Sequence, residues 1–120
     1  MGCYEVSLGD TLGRALPERV DAMLEAVLLD HPAHLLAGHF HDTAGRALEN
    51  VSVALERGLR IFDASVAGLG GCPYAPGAAG NLATGKLAAF LDARGLRHGL
   101  DLTALARAEA LARDMTGERA

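Results

Sequence analysis

Hydrophobic positions along the chain fall into two alternating patterns. Short runs rich in strand formers, at residues 3–8, 35–41 and 61–66, are separated by longer stretches in which apolar residues recur every three or four positions. Pro17 opens the first such stretch at a position where a helix tolerates proline. Val20, Met23, Leu24, Val27 and Leu28 then form one stripe, which stops at His31-Pro32. The next stripe is Leu48, Val51, Ala54 and Leu55, ended by Gly58. Two more helices are predicted from about Asn81 to Ala93, stopped by Gly95, and from about Leu102 to Met115.

The order is strand, helix, strand, helix, strand, loop, helix, helix. Connections of this length predict an α/β fold with parallel strands and right-handed crossovers. The run Leu35–His41 is apolar first and polar only at its carboxyl end, as in a sheet covered on both faces. Three strands with helices on one side leave the other face bare. The expectation is that chain outside these 120 residues covers it, with oligomerisation as the alternative. A first strand that begins at the very first residues reads as a domain entered part-way.

Composition narrows the class. A chain of 120 residues makes at most one domain, large enough to bury a core. A net charge of −4, with basic residues scattered singly, argues against a nucleic-acid or anionic-membrane partner. No apolar run approaches the roughly 20 residues of a membrane helix. No signal peptide opens the chain, and Cys3 and Cys72 make neither a disulfide framework nor a zinc site, so free thiols in a reducing cytoplasm are expected.

The chemistry gathers at the carboxyl ends of the strands, where α/β proteins build sites. From Ile61 an apolar run passes into a loop that holds five glycines and two prolines before Asn81, with Cys72 in its middle. The loop is no dinucleotide fingerprint, because Pro73 stands where the last glycine belongs, and it lacks the Gly-Lys-Ser/Thr of a P-loop. Cys72 could be a core thiol, a nucleophile needing a nearby base, or a proton carrier. His39 and His41 are two apart on a strand, so their side chains leave one face roughly 7 Å apart. Two imidazoles at that spacing can converge on a metal, or simply hydrogen-bond within the fold. His31, His34 and His98 lie in loop-like sequence and read as solvated. Asn81 is a good helix N-cap that could instead offer a metal its amide oxygen, and Asp10 closes the first strand either as a turn residue or as a group facing a ligand.

Ser65-Val66-Ala67-Gly68-Leu69-Gly70-Gly71-Cys72-Pro73-Tyr74 resembles the signature of 3-hydroxy-3-methylglutaryl-CoA (HMG-CoA) lyases. The segments Gly2–Thr11, His39-Phe40-His41-Asp42-Thr43 and Gly80-Asn81-Leu82-Ala83-Thr84 are similar to that family in the same order. The resemblance implies part of a (β/α)8 TIM barrel: its last three parallel strands with their helices, plus a carboxyl-terminal helix. It implies cleavage of HMG-CoA, an acyl-CoA thioester, to acetyl-CoA and acetoacetate with Mg²⁺ or Mn²⁺. His39, His41 and Asn81 would then be metal ligands, and Cys72 an acid/base. Asp10 would assist deprotonation of the substrate hydroxyl, with Thr43, Gly70 and Gly71 around the substrate and its loop.

The family's remaining Asp ligand, the Arg before it and a catalytic Glu have no counterpart in this chain. The expectation is therefore a part inactive alone, needing an amino-terminal barrel half or further copies of itself. A Glu usual in the family after Asn-Leu-Ala-Thr is Gly85 here, which costs helix stability, up to about 1 kcal/mol. Two other readings are a related lyase or aldolase acting on another 3-hydroxy-acyl-CoA, and a non-catalytic remnant that pairs with a partner chain.

Overall fold

The computed structural model describes residues 2–70 and 80–116. Its strands are β1 (Val6–Gly9), β2 (Leu36–His39) and β3 (Ile61–Asp63), and its helices α1 (Pro17–Val27), α2 (Ala47–Glu56), α3 (Thr84–Ala93) and α4 (Leu102–Met115). The strands form one parallel sheet in the order β1-β2-β3, as the alternation of patterns predicts. Among the described residues no helix is long and apolar enough to cross a membrane.

The strands are shorter than their apolar runs, and hydrogen bonding explains each end. β1 starts at Val6 rather than Cys3 because its first partner is Leu36, the residues before that being wound into a 3₁₀ turn over Ala33–Leu35. β2 ends at His39 because the next groups bond to another segment: Leu82 N–H donates to the Phe40 carbonyl, and Asp42 N–H to the Gly80 carbonyl. β3 ends at Asp63, after which Ser65 pairs with Ala83 and Val66–Gly68 forms a second 3₁₀ turn.

Residues alternate between the two faces of the sheet. Leu36 and Phe40 turn toward the helices and join Val20, Leu24, Val51, Ala54, Leu55, Leu59, Leu82 and Leu87 in one core, with Leu8 and Phe62 packed against it. Leu24 is 1 % exposed while Met23, predicted on the same stripe, is 37 % exposed, so the buried face of α1 is narrower than its apolar face. The opposite sheet face carries Ser7, Gly9, Ala37, His39, Ile61 and Asp63, register partners across the three strands. Ser7, Gly9 and Asp63 there are exposed. The bare face is thus small and polar at its carboxyl end.

Helix α1 is tied to α2 by Arg57, whose Nε and Nη2 donate to the two Asp21 carboxylate oxygens at 2.7 and 3.0 Å. This bidentate pair holds the Asp21 carboxyl below its ordinary value and raises Arg57. Asp101 caps α4, accepting from Thr103 and Ala104 N–H at 3.0 Å each. His98 is not the solvated side chain expected: Leu100 N–H donates to its Nδ1 and its Nε2 meets Asp92 at 2.9 Å, which pins the α3–α4 connection.

Candidate metal centre

The carboxyl ends of the strands meet in one row, with Gly9, His39 and Asp63 as register partners. Ser7 Oγ donates to Asp63 Oδ2 at 3.0 Å, and the same oxygen lies 3.6 Å from His39 Nδ1. That carboxylate favours a proton on Nδ1 and leaves Nε2 of His39 as the acceptor nitrogen. His41 is buried just beyond the strand, its ring edge-on to that of His39 with centroids 5.1 Å apart. The two imidazoles therefore lie side by side at the carboxyl end of β2.

Backbone geometry fixes the tautomer of His41. Its Nδ1 lies 2.9 Å from the carbonyl oxygen of Asp10. A carbonyl only accepts, so Nδ1 carries the hydrogen and Nε2 keeps its lone pair. An imidazole oriented this way by a carbonyl is arranged as a metal ligand is. Gly13 makes room for this packing: at φ +68° it lies against Thr43, and a Cβ there would sit 2.9 Å from the His41 Cβ.

Asn81 is not the N-cap of α3. That position is Ala83, with no side-chain cap, because Asn81 pairs with His41 in an antiparallel bridge. Its Nδ2 donates to the carbonyls of Leu69 and Gly70 at 3.0 and 3.2 Å, and its backbone N–H to Gly70 at 2.8 Å. Both side-chain partners accept only, so the amide orientation is determined. Among the described residues its buried Oδ1 has no hydrogen-bond partner. An orphaned amide oxygen carries a desolvation cost unless something meets it.

Asp10 plays a larger local part than a turn residue. Its Oδ1 accepts from Gly13 and Arg14 N–H at 3.1 and 3.3 Å, and its Oδ2 from Ala15 at 3.1 Å. The carboxylate organises the loop after β1 while the carbonyl of the same residue orients His41. Gly70, at φ +88°, is gathered against the Asn81 amide. Gly71 and Cys72 lie outside the described residues.

Three contributors escaped the sequence reading. Asp63 was hidden inside an apolar run, although an acid at the carboxyl end of β3 is the available signal. Asp42 accepts from Ala47 N–H through Oδ1 and pairs with Lys86 through Oδ2 at 3.2 Å, tying the first turn of α3 to the end of β2. Asn50, 1 % exposed, donates to the Ala15 carbonyl at 3.1 Å and anchors the Asp10 loop to α2. Its place between Ala47 and Ala54 on the apolar stripe was legible.

The described residues form no cluster of three or more His, Cys, Asp or Glu side chains able to hold a metal. The donors available are two imidazole nitrogens and, from the segment bridged to His41, an amide oxygen with no hydrogen-bond partner among the described residues. They suit a divalent cation that accepts mixed nitrogen and oxygen ligands and whose coordination is completed by further oxygen donors.

The HMGL-like family pattern matches residues 1–112. Hydroxymethylglutaryl-CoA lyase of Pseudomonas mevalonii is 52 % identical over 107 residues, covering 89 % of this chain and 36 % of that protein. The crystal structure of the HMG-CoA lyase from Brucella melitensis superposes with a TM-score of 0.93 at 58 % identity, over 95 % of this chain and 40 % of that one. The A. baumannii HMG-CoA lyase, solved in complex with coenzyme A and 3-methylmalate, gives a TM-score of 0.86 at 39 % identity, over 95 % and 37 %. The chain thus spans about a third of the length of the curated relative it matches. Its three parallel strands with their helices are the expected segment of a (β/α)8 barrel. By pattern, sequence and superposition alike, the chain belongs to the HMGL-like family.

Proposed function

We propose that this chain contributes one side of the active site of a divalent-metal-dependent carbon–carbon lyase that cleaves HMG-CoA to acetyl-CoA and acetoacetate. The observation that carries the reading is the convergence of His39 and His41, the latter with its Nε2 left as acceptor, beside a segment whose Asn81 Oδ1 has no partner among the described residues. These three side chains would hold Mg²⁺ or Mn²⁺. A divalent cation there would supply Lewis-acid polarisation of the substrate's hydroxyl and acyl oxygens.

The chain's own residues do the remaining work. Asp10 Oδ2 accepts one backbone bond and so keeps an acceptor position for the substrate hydroxyl. Loss of the hydroxyl proton lets the adjacent carbon–carbon bond break, its electron pair passing to the carbon alpha to the thioester. Cys72 returns a proton to that carbon, giving acetyl-CoA, while the former hydroxyl carbon becomes the ketone of acetoacetate. Thr43, Gly70 and Gly71 border the substrate. The acyl-CoA substrate class is supported by the names of the relatives and by the coenzyme A complex of one of them.

The remaining barrel strands must come from an amino-terminal part or from another copy of the chain. The test is acetoacetate release from HMG-CoA with Mg²⁺ or Mn²⁺ and a thiol reductant. The chain alone is expected to be silent, and addition of the amino-terminal part of a related lyase is expected to restore turnover. Continued silence of that mixture would overturn the proposal and favour the remnant.

A further inference from the structure

Asn81 belongs to two segments at once. Its backbone is held beside the end of β2: it bridges His41, Leu82 N–H donates to the Phe40 carbonyl, and the Gly80 carbonyl accepts from Asp42 N–H. Its side chain turns to a different segment, the stem at residues 69–70 that leads from β3 into the glycine loop. Nδ2 donates to the carbonyls of Leu69 and Gly70, and the Gly70 carbonyl also accepts from the Asn81 backbone N–H. One residue thus grips the stem with its side chain and its main chain together.

The surrounding backbone is shaped to allow that grip. A Cβ on Gly70 would lie 2.9 Å from Asn81 Nδ2, and one on Gly80 would collide with the carbonyl oxygens of Gly68 and Gly70. Just before the stem, Ala67 stands at φ +55°, a conformation that alanine adopts only where its surroundings impose it. A stem entered through such a residue relaxes unless something holds it. The holding group is the same amide whose buried Oδ1 has no partner among the described residues. A primary amide is one conjugated unit, so an oxygen that meets a cation strengthens the N–H donors at the other end. Fixing either end of the side chain also lowers the entropy cost of engaging the other.

We propose that Asn81 is also a positioning residue: its Nδ2 clasps the 69–70 stem, so that a cation at Oδ1 tightens the stem and the clasped stem raises affinity for the cation by the same factor. This coupling rests on the metal reading proposed above. It would tie occupancy of the centre to the segment that leads, two residues on, to Cys72.

The test uses the full chain completed by the amino-terminal part of a related lyase. Mg²⁺ affinity is measured by calorimetry, and amide hydrogen exchange at Leu69 and Asn81 is read against Leu82 and the β2 amides. In the parent, saturating Mg²⁺ is expected to slow Leu69 and Asn81 about two- to fivefold more than the control amides, a coupling of modest size. Asn81→Asp keeps an oxygen for the cation and removes both N–H donors, so it should bind Mg²⁺ and lose the selective slowing. Gly70→Ala pushes the stem off Nδ2 and supplies no ligand, and reciprocity expects its Mg²⁺ affinity to fall by the same two- to fivefold factor. Should Asn81→Asp fail to fold or to bind Mg²⁺, Gly70→Ala decides alone. Binding to the parent without selective slowing, equal slowing in Asn81→Asp, or unchanged affinity in Gly70→Ala would overturn the coupling and leave the metal reading standing. A parent that binds no Mg²⁺ would overturn both.

Discussion

At the scale of single residues, backbone carbonyls assign roles that residue type leaves open. A carbonyl facing His41 Nδ1 sets its tautomer, and two carbonyls facing Asn81 Nδ2 leave Oδ1 without a partner among the described residues. The His-x-His spacing made the histidine pair legible in sequence. The pairing of Asn81 with His41, forty positions back, was not, because it is a tertiary fact that helix-start chemistry cannot announce. If the proposed centre is real, His39→Ala abolishes Mn²⁺ binding by the completed barrel, measured by titration, while His98→Ala, whose ring pins a distant connection, leaves the affinity unchanged. Unaltered affinity in His39→Ala would rule the centre out. Asn50 carries a prediction independent of any metal. Its Nδ2 satisfies the Ala15 carbonyl in the interior, so Asn50→Ala should lower unfolding stability by about 1–3 kcal/mol in a denaturant titration. A neutral result would mean that water replaces the lost donor.

At the scale of elements, periodicity located every helix and every strand, and α4 to the residue, because a 3–4 stripe and an apolar run are local signals. Strand ends were overrun because they depend on who takes the next hydrogen bond: Leu82 N–H donates to the Phe40 carbonyl, and Ser65 bonds to the Leu82 carbonyl and the Thr84 N–H. Gly85 shows the same limit in another form. Read along the chain it is only a weak spot in a first turn, whereas in the fold a Cβ there would collide with the carboxylate of Glu109, twenty-four positions on. The α1–α2 contact adds a prediction with a definite sign. Arg57 holds the carboxyl of Asp21 below its ordinary value through two hydrogen bonds. A carboxyl depressed on folding contributes stability above its unfolded pKa, and loses it as pH falls through the folded one. Asp21→Asn should therefore lower the thermal midpoint near neutrality, and flatten its decline below about pH 4, relative to the parent. Both side chains are largely in water, so added salt should shrink the difference. Parallel midpoint curves for parent and variant down to pH 3 would show that the pair contributes nothing.

At the scale of the molecule, the sheet decides what the chain must do next. Among the described residues β1 and β3 each have a strand partner on one side only, so each presents a row of backbone donors and acceptors unpaired by a strand. The face opposite the helices ends in Ser7, Gly9, His39 and Asp63, which is a poor surface for hydrophobic clustering and a good lining for a polar cavity. Association is therefore expected through the strand edges rather than through that face, and further strands of a related barrel would satisfy both edges at once. Sedimentation of the chain alone should show mass rising with concentration. Addition of the amino-terminal part of a related lyase should collapse that distribution to a single one-to-one complex, because pairing with the right neighbour consumes the edges that drive self-association. A Ser7→Leu substitution separates edge from face: it removes the Ser7–Asp63 hydrogen bond and puts an apolar side chain on the polar face, so it should worsen self-association of the chain alone and block the one-to-one complex. A chain that stays monomeric at every concentration, and ignores the added part, would mean that its edges are already satisfied in solution, and the barrel-completing role would fall with them.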